Sequence, residues 1–277
     1  MEKRMMSLLV AAAFMFSLTA CSGAKKQGEE TAAQAEEAAV IAGSVPKSLL
    51  AEEVKTETVQ LLRDLPDSDI PYRMATGEVK MGVGDLSYML PVSKASELTT
   101  PAQKARAIGI YFADYNILKA LGQPTADVEG VLAKLTSGLN ITYLLNILQQ
   151  EPPAPSSHDE YAKFLEERED RIIEALAADD KVDIQIELLG GLTAELALVY
   201  ANPSLVVQGD VATAGLTDNQ LKRLDILGQI TADLAAYYPD LAQLADIISP
   251  LKDKVASVKA ARNANAEITG IRDALLK

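Results

Sequence analysis

Through most of this chain apolar residues recur every three or four positions, and prolines and glycines interrupt them at intervals of one helix length. That spacing commits the chain to amphipathic helices packed on one another. The fold class expected is all-α, an irregular bundle of about seven to nine helices joined by short connections. Pro46 opens a first helix carrying Leu49, Leu50, Val54, Val59, Leu61 and Leu62, which stops before Pro66. The stretch 67–101 holds Pro71, Gly77, Gly82, Gly84 and Pro91 and reads as loops with one short helix over 86–90. Pro101 sits at a first helical turn behind Thr99 and Thr100, so a long helix is expected over 101–121, ended by Gly122 and Pro124. Helices over 125–136 and 140–150 follow. After Pro152, Pro153 and Pro155, Ser157 with Glu160 makes a capping box that starts a helix reaching Ala178. Further helices are expected over 217–238, 241–248 and 250–275.

One segment is ambiguous. Val182, Ile184, Ile186 and Leu188 alternate as a strand would, and Gly190 and Gly191 each cost about 1 kcal/mol relative to alanine in a helix interior. Yet Gly190, Ala194, Ala197 and Ala201 are spaced four, three and four apart, a smooth helical stripe that lets another backbone come close. A helix over 181–201 is the reading adopted, with Gly190, Gly191, Ala194 and Ala197 as its packing surface.

The first twenty residues have the parts of a secretory signal. Lys3 and Arg4 precede a stretch from Met5 to Leu18 that is apolar apart from Ser7 and Ser17. It is shorter than the roughly 20 residues a membrane-spanning helix needs. Leu18, Thr19, Ala20 and Cys21 then resemble the bacterial lipobox, an aliphatic residue and two small ones before a cysteine. The resemblance implies cleavage before Cys21, a thioether-linked diacylglycerol on its sulfur and an N-acyl chain on its freed amine. Two or three chains suffice for anchoring, because each buried methylene contributes about 0.8 kcal/mol. The alternative is an ordinary signal peptide that leaves a free thiol. Cys21 is the sole cysteine, so no internal disulfide can form, and lipidation accounts for the odd count. The organisation expected is a signal peptide over 1–20, a lipid-anchored flexible tether over 21–45 rich in Ala, Glu, Gln, Lys and Gly, and one all-helical domain over 46–277. Ser22 is compatible with onward sorting to an outer membrane.

Charge narrows the partners. With 39 acidic against 26 basic residues the chain carries a net −13. Nucleic acid is not an expected partner, since a phosphate backbone selects clustered Lys and Arg. An anionic bilayer repels such a domain, so the membrane is expected to hold it through the lipid alone.

Asp114 is the most informative residue of the domain. Helical projection sets it within a stripe of Ala107, Ile110, Tyr111, Ile117, Leu118 and Leu121, where a carboxylate is buried and needs a partner or a proton. Arg168 lies likewise in the stripe Tyr161, Leu165, Ile172 and Leu176. An interhelical pair between Asp114 and Arg168 is expected, the alternative being that Asp114 faces a ligand pocket with Tyr111 and Tyr115.

Three runs, LSYMLP over 86–91, AIGIYFAD over 107–114 and LLGGLTAELALVY over 188–200, resemble segments of a family of helical bacterial lipoproteins with no assigned activity. The family pattern has an aromatic residue after the double glycine, where this chain has Leu192 and Thr193. The resemblance implies an all-helical lipoprotein and supplies no chemistry.

A search for chemistry yields exclusions. Histidine occurs once, at His158, which excludes His-based zinc sites and the paired Glu-x-x-His ligands of di-iron bundles. No Gly-x-Ser-x-Gly elbow exists, and Gly82 and Gly84 precede Asp85 rather than a lysine. Asp64, Asp67 and Asp69 cluster without the glycine and distant glutamate of a calcium loop. Glu166, Glu167, Glu169 and Asp170 interleave with Arg168 and Arg171, as on a solvated helix. No catalytic residue, metal site or cofactor is therefore expected. The function expected is that of a non-enzymatic envelope lipoprotein that binds a partner protein or serves as an accessory component. The alternative is a ligand-binding or hydrolytic lipoprotein with a pocket near Asp114.

Overall fold

A computed structural model describes residues 52–66, 70–151, 157–207 and 210–277. The leader, Cys21, the tether and Pro46, Leu49, Leu50, Asp67 and Asp69 lie outside these residues. Helices dominate, as the periodicity requires: α1 (Glu52–Arg63), α2 (Ile70–Ala75), α3 (Pro101–Ala120), α4 (Ala126–Gly138), α5 (Tyr143–Leu148), α6 (His158–Ala178), α7 (Val182–Ala201), α8 (Asp210–Leu234), α9 (Pro239–Ile248), α10 (Leu251–Lys254), α11 (Val258–Asn263) and α12 (Asn265–Ala274). Eight of them, α1, α3, α4, α6, α7, α8, α9 and α12, have ten residues or more. The remainder are one-turn pieces that periodicity does not register. Two 3₁₀ helices, Val83–Tyr88 and Val92–Ser96, stand where one short helix over 86–90 was expected. A two-residue antiparallel pair, β1 (Val79–Lys80) with β2 (Val206–Val207), is the one sheet among the described residues.

The helix ends follow local chemistry. Thr100 caps α3 by accepting from the Gln103 N–H at 3.1 Å, while Gln103 Oε1 accepts from the Thr100 N–H at 3.0 Å. Ser157 Oγ accepts from the Glu160 N–H at 3.2 Å and starts α6. Helix α3 ends on Gly122 at φ 65°, a left-handed conformation that suits glycine. Asn140 after α4 and Asp180 after α6 take φ 55° in the same role, which asparagine and aspartate tolerate. The helix expected over 250–275 is instead broken into α10, α11 and α12. Ser257 turns to an extended conformation and caps α11 through the Ala260 N–H, and Asn265 Nδ2 donates to the Ala201 carbonyl at 3.2 Å, fixing the second break against the end of α7.

Helix α7 is the centre of the bundle, touching α3, α6, α8, α9, α11 and α12. A helix surrounded this way must be apolar all round, which is why its sequence alternates and shows no polar face. Of its twenty residues seventeen are buried. It divides the core in two. Leu189, Ala194 and Leu198 pack with α1, α8, α9, α11 and α12, while Leu188 joins Ile108, Tyr111, Leu132 and Leu144 on the side of α3, α4 and α5.

Its most extensive contact is with α3, and two glycines set that distance. A Cβ built on Gly191 would lie 1.9 Å from the Arg106 carbonyl oxygen, and one on Gly109 1.9 Å from the Leu188 carbonyl oxygen. Backbone meets backbone on both sides of the crossing. Gly190 faces away from α3, onto the Leu244 side chain of α9, and Ala194 and Ala197 are fully buried. The small residues of α7 thus serve the interior of the bundle.

Candidate functional site

Asp114, 1 % exposed, lies within the core as its stripe requires. Its Oδ2 accepts the Leu90 N–H at 3.2 Å, and three residues before it the Tyr111 hydroxyl donates to the Pro91 carbonyl at 2.8 Å. Helix α3 therefore grips the strap 88–91 with two side chains one turn apart. From the other side Arg272 of α12 donates through Nη1 to the Tyr88 carbonyl at 3.0 Å and to Glu195 Oε2 of α7 at 3.2 Å, and through Nε to Asp273 at 2.8 Å. The result is a buried set of two carboxyls and one guanidinium joining α3, α7, α12 and the strap.

The expected pair between Asp114 and Arg168 is not formed. The Arg168 guanidinium lies 5.0 Å from the Phe112 ring centre and 5.3 Å from that of Phe164, covering aromatic faces where the helices meet water. The cation near Asp114 is Arg272, which acts through Glu195. Both stripes were read correctly as buried or half-buried, but projection assigns a face to a residue and not a neighbour to that face.

Electrostatics assigns the proton. Burial raises Asp114 well above the usual carboxylate range and the Glu195 charge raises it further, against the opposing Leu90 N–H and Arg272. Glu195, fully buried, is pushed up to about 7 by desolvation, with Arg272 pulling it down. Since Arg272 binds Glu195 directly, Asp114 is the member that keeps its proton. Asp114 hydrogen-bonds the Glu195 side chain, which accepts the proton that Asp114 keeps, while the Tyr88 hydroxyl is buried without a hydrogen-bond partner. Burial, followed by the charges of Asp114 and Glu195, also raises the Tyr88 hydroxyl. A carboxyl raised in the folded state holds its proton where the unfolded chain has released it, so stability is greatest below pH 4.5 and declines as pH rises through about 7. A Glu195→Gln variant, which cannot ionise, is expected to lose less stability than the native chain across that window in denaturant titrations. A constant difference between the two proteins from pH 4.5 to 8 would contradict this.

A second buried pair lies further along the same two helices. Arg106 of α3 and Glu187 of α7, each 2 % exposed, form two bonds, Nε to Oε2 at 2.5 Å and Nη2 to Oε1 at 3.1 Å. Arg106 also donates to the Asp240 carbonyl at 3.3 Å and the Leu275 carbonyl at 3.4 Å, which ties α9 and the carboxyl-terminal end to the crossing. Glu187 is raised all the same, because its desolvation outweighs the attraction of Arg106.

Sequence reasoning missed Arg106, Glu187, Glu195, Arg272 and Gly109. A signal existed for two of them. In the run 184–201 the only charges are Glu187 and Glu195, and in so apolar a helix neither can reach water.

Tyr115, buried at the outer side of α3, opens on a different feature. With Tyr72 and Pro71 of α2, Tyr161 of α6, Asn116 and Lys119 of α3 and Gln150 and Glu151 after α5, it walls a cleft of about 180 Å3. The Lys119 ammonium lies 5.6 Å from the Tyr115 ring centre and pairs with Glu151. Tyr72 and Tyr161 are in ring contact at 5.0 Å. Neither Asp114 nor Tyr111 reaches this cleft, so the pocket residues proposed together on sequence belong to separate places. Among the described residues no group of three or more His, Cys, Asp or Glu is arranged to hold a metal ion, and Asp67 and Asp69 fall outside them.

No family model, curated protein or solved structure matches the chain. The likeness of the three hydrophobic runs to helical bacterial lipoproteins rests on those residues alone. The structure gives two of them a concrete role: the strap 88–91 and the run 107–114 are the two halves of the contact through Asp114 and Tyr111.

Proposed function

We propose that the chain is a lipid-anchored component of a bacterial cell envelope, held at the outer membrane through Cys21, whose helical domain works by binding rather than by chemistry. The observation that carries this reading is the run Leu18, Thr19, Ala20 and Cys21 directly behind a charged and then apolar leader. Among the described residues no helix is long and apolar enough to cross a membrane. The ionisable groups of the core, Asp114, Glu195, Arg272, Arg106 and Glu187, bond to backbone and to one another, which supports a structural role for each. Because Gly191, Ala194 and Ala197 are taken up inside the bundle, a protein partner in the envelope would meet the charged exterior and not the small-residue stripe.

The test is the intact mass and detergent partitioning of the protein from its native membrane, beside a Cys21→Ala variant. A lipid-sized mass increment and entry into the detergent phase, both lost in the variant, are the expected results. An unmodified chain that stays in water overturns the anchor.

One observation favours a second reading, in which the domain binds a small ligand. The Tyr115 cleft is a formed space with aromatic and polar walls, as ligand sites commonly are, although neither Asp114 nor Tyr111, where a pocket was expected, lines it.

A further inference from the structure

The buried set around Asp114 joins helices α3, α7 and α12 to the strap 88–91, which runs between the 3₁₀ helices Val83–Tyr88 and Val92–Ser96. Helices of that kind have poor hydrogen-bond geometry and hold a segment weakly by themselves. The strap owes its position to side chains from other elements. Asp114 Oδ2 takes the Leu90 N–H, the Tyr111 hydroxyl donates to the Pro91 carbonyl, and Arg272 Nη1 donates to the Tyr88 carbonyl. Of residues 88–91 only Leu90 is buried in the core, and Pro91 is exposed, so little apolar surface opposes their departure. The Tyr88 hydroxyl, buried without a partner, would gain one from water if the strap lifted.

Beneath the strap lie two carboxyls in contact. Asp114 and Glu195 share a hydrogen bond, and that bond needs a proton on one of them. The other titratable and charged groups facing the pair are Tyr111 of α3, Tyr88 of the strap, and Arg272 and Asp273 of α12. Burial raises both tyrosine hydroxyls, so neither ionises in the range of the carboxyls. Asp273 adds negative charge, which leaves Arg272 as the cation of the set, and one guanidinium does not neutralise two carboxylates. The Leu90 N–H favours an ionised Asp114, but burial and the Glu195 charge outweigh that bond. Under the strap the pair therefore keeps a proton that it would lose in water at neutral pH. Lifting the strap and releasing the proton are linked.

We propose that the strap 88–91 is a pH-sensitive latch, closed over the hydrogen-bonded Asp114 and Glu195 while they hold their proton, and lifted to expose both to water when that proton leaves. The helices stay packed, because the Gly109 and Gly191 crossing and the Arg106–Glu187 pair lie outside the latch.

The experiment is hydrogen exchange of the full-length chain from about pH 5.5 to about pH 8.5, with each rate divided by the intrinsic rate at that pH. The Leu90 amide, whose partner is Asp114, is followed by NMR, and the peptide 86–98 by mass spectrometry. Their protection is expected to fall about tenfold or more per pH unit, as the release of at least one proton on opening requires. It is also expected to lie about tenfold or more below that of the α7 amides and to be unchanged by low urea, which accelerates exchange in α7, because lifting a strap exposes little surface. In the double variant Asp114→Asn with Glu195→Gln, which keeps an acceptor for Leu90, the dependence of the strap on pH is expected to vanish. Tyr111→Phe, which removes the bond to Pro91, is expected to lower strap protection by one factor at every pH and to leave the slope as it is. Should the double variant not fold, the native chain and Tyr111→Phe decide the matter. Strap protection that does not change with pH overturns the latch. Protection equal to that of α7 and equally sensitive to urea overturns it too, since the proton then leaves only when the whole domain unfolds. A slope that survives in the folded double variant assigns the proton to another group, and unchanged protection in Tyr111→Phe shows that the strap is held by other means; either result overturns the proposal.

Discussion

Alanine at Gly191 is expected to lower the stability of the domain by about 3 kcal/mol or more, the upper end of what a single added methyl does in a packed core. The reason is the nature of the obstacle. At Gly190 the added Cβ would meet the Leu244 side chain, which can rotate, whereas at Gly191 it would meet the Arg106 carbonyl oxygen at 1.9 Å and its carbonyl carbon at 2.7 Å. Backbone in the middle of a helix has no rotamer to change, so α3 and α7 must separate along their whole contact. Gly109→Ala is expected to act in the same way against the Leu188 carbonyl. Chemical denaturation of Gly190→Ala, Gly191→Ala and Gly109→Ala checks this by their order, with Gly190→Ala the mildest. Equal losses at the three positions would show that helix separation is not the cause. The result bears on the buried ion pair too, because the carbonyl that Gly191 accommodates belongs to Arg106 itself.

Replacing Arg106 by methionine is expected to cost about 3–5 kcal/mol, since it leaves the Glu187 carboxylate buried without its cation. Both partners are almost wholly removed from water, and two of the guanidinium nitrogens are bonded to the carboxylate. Salt does not screen such a pair as it does an exposed one. The same reasoning predicts the outcome of a double substitution. In Arg106→Met with Glu187→Leu no charge is left to desolvate, and most of the lost stability is expected to return even though both bonds are gone. Denaturant midpoints of the two single variants and the double variant complete a mutant cycle. A double variant as unstable as the worse single one would mean that the pair stabilises the fold beyond cancelling its own desolvation. The carbonyls of Asp240 and Leu275 lose the donors that Arg106 gives them in either case, which sets a ceiling on the recovery.

Much of the local structure was legible before any coordinates. The Thr100 cap, the Ser157 cap, the end of α3 at Gly122 and the helical state of α7 all follow from side chains within four residues of where they act. The burial of Asp114 was legible too. What was not legible was its company. Arg168, placed opposite it by pattern alone, covers Phe112 and Phe164, while Glu195 and Arg272 do what Arg168 was expected to do. Similarly, Tyr111 and Tyr115 are four residues apart on one helix, yet one holds the strap at Pro91 and the other walls a cleft between α2 and α6.

The division has a physical cause. Helix propensity, capping and the three-to-four spacing are short-range effects, so the residues of each segment determined that the chain would be helical and, for α3, α6 and α7, roughly where each would begin and end, whereas α8 starts seven residues before the expected 217. The pairing of buried charges is a long-range effect. Arg106 and Glu187 are 81 residues apart, and Glu195 and Arg272 are 77 apart. A pattern along one helix shows which face is turned inward and carries no record of which other helix arrives there. For α7 even the face is lost, because it is enclosed on nearly all sides and presents no polar edge to mark an orientation. Only the packed bundle, with Gly109 and Gly191 back to back at its centre, decided which charges meet.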